Sequence, residues 1–397
     1  MRVSSMTLFD QSVAQMQRRQ AELVETQRKM SLGTRLLSPS DDPVAAARVL
    51  LLDQGAATNE QHQRNRDTAR NALGLQESVL ANVGNLLRDV RTVALNAGNP
   101  SLTNNDRDAL VTELRSRFQE LMGLANATDE TGQYLFSGYQ GATQPFSGAP
   151  GAVQYAGDQG QRLVQVGATR QIPVSDSGVE VFMRLPTGNG RFVTQANPAN
   201  TGTGVVGPGA VTGTVTGDTY DIQFTSATTY DVVNVTTSAT VSTGNAYTPG
   251  GVISFGGMQL DITGEPATGD RFSVAPSASQ DVFTTLANFI TAVDTQGGSA
   301  VGNANLTNAV NTAIGNLDHA LDRVLTVRAD IGARLSELDS LDALGEGVAL
   351  QYSKTISGLR DLDYAAAIAD LTRQQTVLQA AQKSFVAAAS HSLFDLI

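Results

Sequence analysis

Residues 364–385, YAAAIADLTRQQTVLQAAQKSF, decide the fold because their apolar positions recur in alternating steps of three and four. This spacing is typical of a coiled-coil seam, and it occurs again at the opposite end of the chain. The sequence therefore predicts two terminal helices that pair with each other. For either arm alone, an amphipathic helix packed on its own domain stays open. The predicted seam residues are Met6, Phe9, Val13, Met16, Gln20, Leu23, Gln27 and Met30 in the N-terminal arm, and Tyr364, Ile368, Leu371, Gln375, Leu378, Gln382, Phe385 and Ala389 in the C-terminal arm.

The C-terminal residues 384–397, SFVAAASHSLFDLI, are apolar on nearly every side of a helix, with Asp395 as their only charged side chain. A helix of this kind must be buried. One partner helix with glutamines in its own seam does not cover it, so we expect neighbouring copies to cover Leu393 and Leu396. The ends should then become ordered on assembly. A membrane-surface anchor is the weaker alternative, because this stretch contains no Lys or Arg.

Composition narrows the classes of partner. The chain has 397 residues and a formal net charge of −11, and its lysines are confined to Lys29, Lys354 and Lys383. These features argue against a nucleic-acid partner, which requires clustered basic residues. Because cysteine is absent, disulfides and thiolate metal sites are excluded. We find neither a signal peptide nor a run of ~18 apolar residues, so a cleaved export signal and a membrane span are not expected.

The composition changes twice along the chain. Both ends have helical spacing, whereas residues 145–275 are rich in Gly, Thr, Val and Ser and alternate as in TYDIQFT. The sequence predicts a multidomain α+β fold, in which discontinuous N- and C-terminal coiled-coil and bundle arms carry an inserted all-β outer domain. The predicted domains are a terminal coiled coil (residues 1–36 with 358–397), a helical core (37–144 with 277–357) and the β insert (145–276).

Local signals set the limits of the predicted elements. Asp42 as N-cap and Pro43 at the first helical position predict the start of a long helix. Helices are predicted over residues 43–97, 103–127 and 310–338. Strands are predicted over residues 162–166, 179–183, 219–225, 230–235, 252–255, 258–262 and 271–274.

No group of residues has the spacing of a catalytic, cofactor-binding or metal site, so we predict that the chain is not an enzyme. Residues 202–207, GTGVVG, match a dinucleotide-binding motif, but Pro208 and alternating Thr and Val residues follow instead of the required helix. We interpret this stretch as a loop of the β insert. His62, His319 and His391 are far apart in sequence, and none has a second histidine four residues away, which disfavours metal binding.

Several motifs resemble the flagellin superfamily and, within it, the subunits of the junction between hook and filament. They lie in residues 30–53 (MSLGTRLLSPSDDPVAAARVLLLD), 133–138 (QYLFSG, similar to the start of a strand), 328–334 (RADIGAR) and 361–378 (DLDYAAAIADLTRQQTVL). Residues 257–276 resemble β modules of hook-associated proteins. The motif positions carried over are Asp41, Asp42, Pro43, Tyr134, Leu135, Phe136, Gly138, Arg328, Ile331 and Gly332.

This resemblance implies a structural subunit of the bacterial flagellum, outside the cell, whose terminal helices line an inner tube. It implies as partners further copies of the chain, hook-associated protein 1, flagellin and a cytoplasmic export chaperone that acts on the C-terminal region. It also implies export through the flagellar type III apparatus. Filament flagellin is the alternative, and residues 133–138 and the MRVS start argue against it. A secreted carbohydrate-active enzyme or adhesive β-domain protein is the alternative from a different class.

Overall fold

The computed structural model describes residues 5–390, and within them the side chains of Ser5, Met6, Leu8 and residues 388–390 are outside the description. Part of the predicted interface therefore lies outside the described residues. This holds for the side chains of Met6 and Ala389 and for all of Leu393 and Leu396, and the histidine His391 also lies outside the described residues.

Helical spacing is realised as long helices in both arms. The helices of the described residues are α1 (Ser5–Leu32), α2 (Pro43–Ala97), α3 (Asn104–Ala125), α4 (Val282–Thr295), α5 (Ala300–Arg360) and α6 (Tyr364–Ser390). The predicted start and end of α2 are confirmed, and α3 begins directly after Thr103. Thr103 and Asp106 form a capping box, in which each side chain accepts a hydrogen bond from the other residue's backbone N–H.

The predicted all-β insert is also confirmed. The strands are β1 (Phe146–Ser147), β2 (Gln154–Tyr155), β3 (Leu163–Gln165), β4 (Gln171–Pro173), β5 (Leu185–Pro186), β6 (Phe192–Ala196), β7 (Val205–Val206), β8 (Ala210–Val211), β9 (Tyr220–Ser226), β10 (Thr229–Asn234), β11 (Ala239–Ala246), β12 (Val252–Phe255), β13 (Met258–Thr263), β14 (Arg271–Pro276) and β15 (Ser279–Gln280). The larger sheet of the insert is antiparallel with strand order β11-β10-β9-β14-β6, and β13 pairs with β12, β7 and β8.

The core of the insert follows from alternation along its strands. On β9 the buried residues Tyr220, Ile222 and Phe224 alternate with partly exposed ones. They pack in one cluster with Phe272 of β14 and Leu260 of β13, so the two sheets share an apolar interior. In strands of this kind, the inward-facing apolar side chains form the core and the outward-facing polar side chains contact solvent.

Two local expectations are wrong. Residues 179–183 form a short π-helix and not a strand. The adjacent side chains of Val181 and Phe182 are both buried, and Phe182 packs edge-on against Phe136 and Phe146, whereas a strand would point neighbouring side chains to opposite faces. Residues 133–138 likewise start no strand, because Tyr134 forms only an isolated bridge with Thr128 before the chain turns.

The chain separates into two compact units. The terminal unit contains residues 1–64 with 340–397, and the central unit contains residues 65–339. Helices α2 and α5 contribute residues to both units. The three-domain division drawn from composition stays a prediction.

Candidate assembly interface

Helices α1 and α6 pair, as the two terminal seams predict, and they run antiparallel. At one end the rings of Phe9 and Phe385 lie with their centroids 5.0 Å apart. At the other end the hydroxyl of Tyr364 donates to the carbonyl oxygen of Met30 at 3.2 Å. The first helix of the chain is therefore packed along the last.

The turn at the base of this pair is fixed by backbone hydrogen bonds. Gly33 has a φ of +68°, a left-handed conformation that glycine adopts without steric cost. Its carbonyl oxygen accepts from the N–H of Leu362 at 3.0 Å, and the N–H of Arg35 donates to the carbonyl oxygen of Arg360 at 2.7 Å. These bonds set the register of α1 against α6.

Half of the predicted seam residues face the partner helix. In α1 the correct row is Phe9, Met16, Leu23 and Met30, and in α6 it is Tyr364, Leu371, Leu378 and Phe385. Four of the alternate positions were predicted one residue too late. Gln20, Gln27, Gln375, Gln382 and Ile368 are exposed, while the residues just before four of them, Thr26, Gln374, Ala381 and Ala367, are partly or fully buried; Val13 is partly buried, as is Ser12 before it.

The physical reason is the order of the steps. From Phe9 and from Tyr364 the next inward residue lies three positions on, at Ser12 and Ala367, not four. The sequence reasoning chose Ile368 over Ala367 because it is the larger apolar residue, and the alternating steps then placed Gln375 and Gln382 in the seam. The polar layer of the seam is consequently formed by Thr26, whose hydroxyl donates to Oε1 of Gln374 at 3.1 Å.

The terminal unit keeps many apolar side chains exposed. About half or more of the surface of Phe9, Ile368 and Val386 is open to solvent. The much longer central unit exposes fewer large apolar side chains among its residues. Among the described residues of the terminal unit the exposed large apolar side chains are Phe9, Val24, Leu32, Val44, Leu50, Leu51, Leu344, Val348, Leu350, Tyr364, Ile368, Val377 and Val386.

Several of these residues were missed by the sequence reasoning. Leu50 and Leu51 lie on α2, and Leu344, Val348 and Leu350 lie on α5, outside the predicted seams. The available signal was the run Leu50-Leu51-Leu52 in a helix. Three consecutive residues point in widely different directions around a helix, so a helix that is buried on one side only cannot bury all three.

The acidic pair before α2 acts as a helix start. The Asp42 carboxylate accepts from the N–H of Ala45 at 3.0 Å, which confirms the predicted N-cap. This bond is the main reason that the pKa of Asp42 is lowered. The Asp41 carboxylate accepts from the N–H groups of Leu37 and Ser38, and these bonds lower its pKa. Both acids therefore shape the loop before α2 and leave no free paired carboxylates.

The QYLFSG motif forms a tight turn in the central unit. Phe136 is fully buried, and Gly138 has a φ of +73°. A Cβ at Gly138 would lie 2.1 Å from Oδ1 of Asp158, whose carboxylate accepts from the N–H groups of Tyr139 and Gly160. Glycine is therefore required at this position by both backbone angle and space.

The RADIGAR motif lies on α5 and anchors its neighbours. Arg328 donates to Oε1 of Glu77 on α2 at 2.9 and 2.7 Å, and Ile331 is fully buried. A Cβ added at Gly332 would meet no atom of another element within 4 Å, so a side chain there has open space. Arg334 at the end of the motif forms a two-pronged ion pair with the buried Asp176 at 3.1 and 3.0 Å.

The glycine-rich loop is closed to phosphates by a carboxylate of the chain itself. Asp270 accepts from the N–H groups of Thr201, Gly202 and Ala267, so the first N–H of the motif is already bound to a carboxylate. Residues 202–207 belong to the β insert, as interpreted, because the two-residue strand β7 lies among them and strand β8, not a helix, follows.

The described part of the chain contains neither a metal-binding cluster nor a membrane-spanning helix. Nε2 of His319 bonds the carbonyl oxygen of Gly188 at 2.9 Å, which accounts for this histidine as a packing residue. Within residues 5–390 no cluster of His, Asp and Glu is arranged to hold a metal ion. Over the same residues, no helix combines the length and apolar character that crossing a bilayer requires.

Comparison with known proteins agrees with this architecture. Residues 3–141 match the bacterial flagellin N-terminal helical region. Flagellar hook-associated protein 3 of Salmonella typhimurium is 28% identical over 397 residues, covering 100% of this chain and 99% of that protein. The crystal structure of FlgL from Xanthomonas campestris is 34% identical with a TM-score of 0.72, covering 77% of this chain and 99% of its own.

A second solved structure supports the same assignment. The flagellar junction protein FlgL from Legionella pneumophila is 33% identical with a TM-score of 0.72, covering 79% of this chain and 100% of its own. Near-complete coverage of these relatives, at 33 and 34% identity, shows that the chain belongs to the family of flagellar hook-associated protein 3, FlgL.

Proposed function

We propose that the chain is a structural subunit of the junction between hook and filament of a bacterial flagellum. We further propose that it assembles through the surfaces of its terminal unit. The observation that carries the second proposal is the set of apolar side chains left exposed there. Those of α1 and α6 stay exposed although the two helices cover each other's seams.

The magnitude of this exposure fits an assembling surface. Fully burying a large apolar side chain contributes ~1.5–3 kcal/mol, so a half-exposed one has about 1 kcal/mol to gain. The exposed apolar residues of the terminal unit together hold on the order of 10 kcal/mol. Association costs ~4–15 kcal/mol in lost freedom of motion, so one small contact is insufficient. We infer that each subunit contacts several neighbours, as in an open head-to-tail polymer.

The proposed partners are further copies of the chain, hook-associated protein 1 on the hook side and flagellin on the filament side. We also propose export through the flagellar type III apparatus, with a cytoplasmic chaperone on the C-terminal region. Ile368, Val377 and Val386 support the chaperone proposal, because exposed apolar side chains need cover before assembly.

A genetic experiment tests the junction role. Deleting the gene in the producing bacterium should leave hooks without filaments and release flagellin as unattached monomer. Attached filaments of normal length in the deletion strain would refute the role.

A pair of variants tests the proposed surface. Ile368→Gln with Val386→Gln removes exposed apolar groups of α6 and should leave monomer melting unchanged while the protein fails to join the hook. The matched control is Gln375→Ser with Gln382→Ser, which changes exposed polar residues of the same helix. Normal filament attachment in the first variant would contradict the proposal that this surface assembles.

Trimming about twenty residues from each end should likewise leave a folded core that cannot assemble. Unfolding of the trimmed core at low temperature in a thermal melt would contradict this expectation.

A further inference from the structure

A cleft in the central unit has the features of a binding site that the junction role does not use. It has a volume of about 660 Å³ and lies between β6 with the end of β14 on one side and helices α4 and α5 on the other. Small-molecule sites typically measure ~300–1,000 Å³. Exposed Gln195 and Asn288 stand on opposite walls, so the cleft opens to solvent.

The lining of the cleft carries no charge. Its walls contain no Asp, Glu, Lys, Arg or His, although Asn, Gln and Thr side chains make up much of the surface. A phosphate, carboxylate or amine would lose its hydration there without gaining a counter-charge. A purely apolar ligand would instead leave the amides without partners. The cleft therefore selects for neutral ligands that are rich in hydrogen-bonding groups.

The amides divide into two sets. Asn308 is already used, because it accepts from the N–H of Val206 and donates to the carbonyl oxygen of Gly204, and it thereby holds the wall in place. In contrast, no hydrogen bond of the Gln195, Asn288 or Asn305 side chains occurs within the described residues. These amides, from β6, α4 and α5, each offer donors and an acceptor to the cleft.

Small apolar side chains also line both walls of the cleft. Pro198 and Pro276 lie on the sheet side, and alanines such as Ala292 and Ala309 lie on the helix side. A sugar ring presents hydroxyl groups at its edge and C–H groups on its faces, which matches amides between small apolar patches. We infer that this cleft binds a neutral saccharide, with Gln195, Asn288 and Asn305 as its hydrogen-bonding residues.

The inference is independent of the junction role, and purified full-length protein tests it. The probes are maltotriose, cellotriose and chitotriose, with a sialylated trisaccharide as the charged comparison, measured by saturation-transfer NMR and calorimetry. At least one neutral probe should bind, and the charged one should not. Asn288→Leu with Asn305→Leu should weaken binding about tenfold or more, since two hydrogen bonds are lost.

The control variant is Gln119→Leu, which removes an exposed amide of α3 outside the cleft and should bind as the unaltered protein does. Matching thermal melts establish that the variants are folded. Absence of binding by all neutral probes, or binding that the double variant does not change, would overturn the saccharide site. A loss of self-association in the double variant, without any saccharide signal, would overturn it in favour of a contact between copies.

Discussion

The carboxylate of Asp176 joins three segments of the central unit, and its removal should be among the most destabilising single changes. It accepts from Nη1 and Nη2 of Arg334 on α5, from Nε2 of Gln76 on α2 and from Nε2 of Gln161. The Asp176 side chain is 8% exposed and that of Arg334 is 17% exposed. Asp176→Ala would leave a largely buried guanidinium and two amides without this acceptor.

The cost follows from what is left behind. Breaking a buried ion pair by removing one partner costs ~3–5 kcal/mol, and Arg334 keeps enough exposure to place the expected loss at the lower end, about 3 kcal/mol. Asp176→Leu combined with Arg334→Met removes both charges and should recover part of this loss, because only the amides of Gln76 and Gln161 then lack the acceptor. We therefore expect the ion pair to contribute little net stability and to act mainly by specifying which segments pack together.

Urea unfolding followed by far-ultraviolet circular dichroism and tyrosine fluorescence measures the loss. The two probes are compared because a chain with two compact units need not unfold in one step. The matched control is Asp294→Ala, since Arg115 and Asp294 are 3.3 Å apart with side chains 61 and 45% exposed. That pair should contribute below ~0.5 kcal/mol. If Asp176→Ala is as mild as the control, the buried-acceptor reasoning is refuted.

Three further changes test single features. Thr26→Ala should destabilise the α1–α6 pair by about 1 kcal/mol in thermal melts, whereas Gln27→Ala should have little effect; equal effects would contradict the observed seam. Gly138→Ala should lower the free energy of unfolding in urea by about 3 kcal/mol, whereas Gly332→Ala should raise it by ~0.5–1 kcal/mol. If Gly332→Ala proves the more destabilising of the two, the steric explanation is refuted. Hydrogen bonds from the Thr103 side chain and backbone N–H lower the pKa of Asp106, so its stabilising effect is present above its unfolded pKa near 4 and is lost as pH falls below it. Asp106→Asn should therefore lower the melting temperature at neutral pH and match the unaltered protein in acid; a constant difference at all pH values would oppose this.

The sequence predicted the element types well because the relevant patterns are local. The cap at Asp42 and the stop at Ala97 each depend on neighbours in the chain, and both limits of α2 were correct. The strand predicted over residues 179–183 was wrong because their alternating pattern is also compatible with a helical turn that buries adjacent residues. Only the surrounding rings of Phe136 and Phe146 make that turn favourable, and they are distant in sequence.

The candidate interface was predictable in kind and less so in detail. Apolar periodicity identified the correct faces at Leu371, Leu378 and Phe385. It did not reveal Asp176, because an ion pair between residues distant in sequence leaves no periodic pattern. It did not reveal the exposed Leu344 either, because the sequence alone does not distinguish an exposed apolar residue from a buried one. Exposure depends on what the remainder of the chain leaves open.

The one-residue shift of the seam bears directly on assembly. A helix pair that placed Ile368 inside would have satisfied its largest apolar groups within one chain. The structure instead turns Ala367 and Ala381 inward, where small side chains leave room for the large residues of the opposite row. Ile368 and Val386 remain outside, where the chain's own seam does not cover them. The pair is thus held by one apolar row and leaves these two apolar side chains uncovered. Apolar side chains that the pair does not need for its own packing allow a subunit to be stable alone and still gain by joining neighbours.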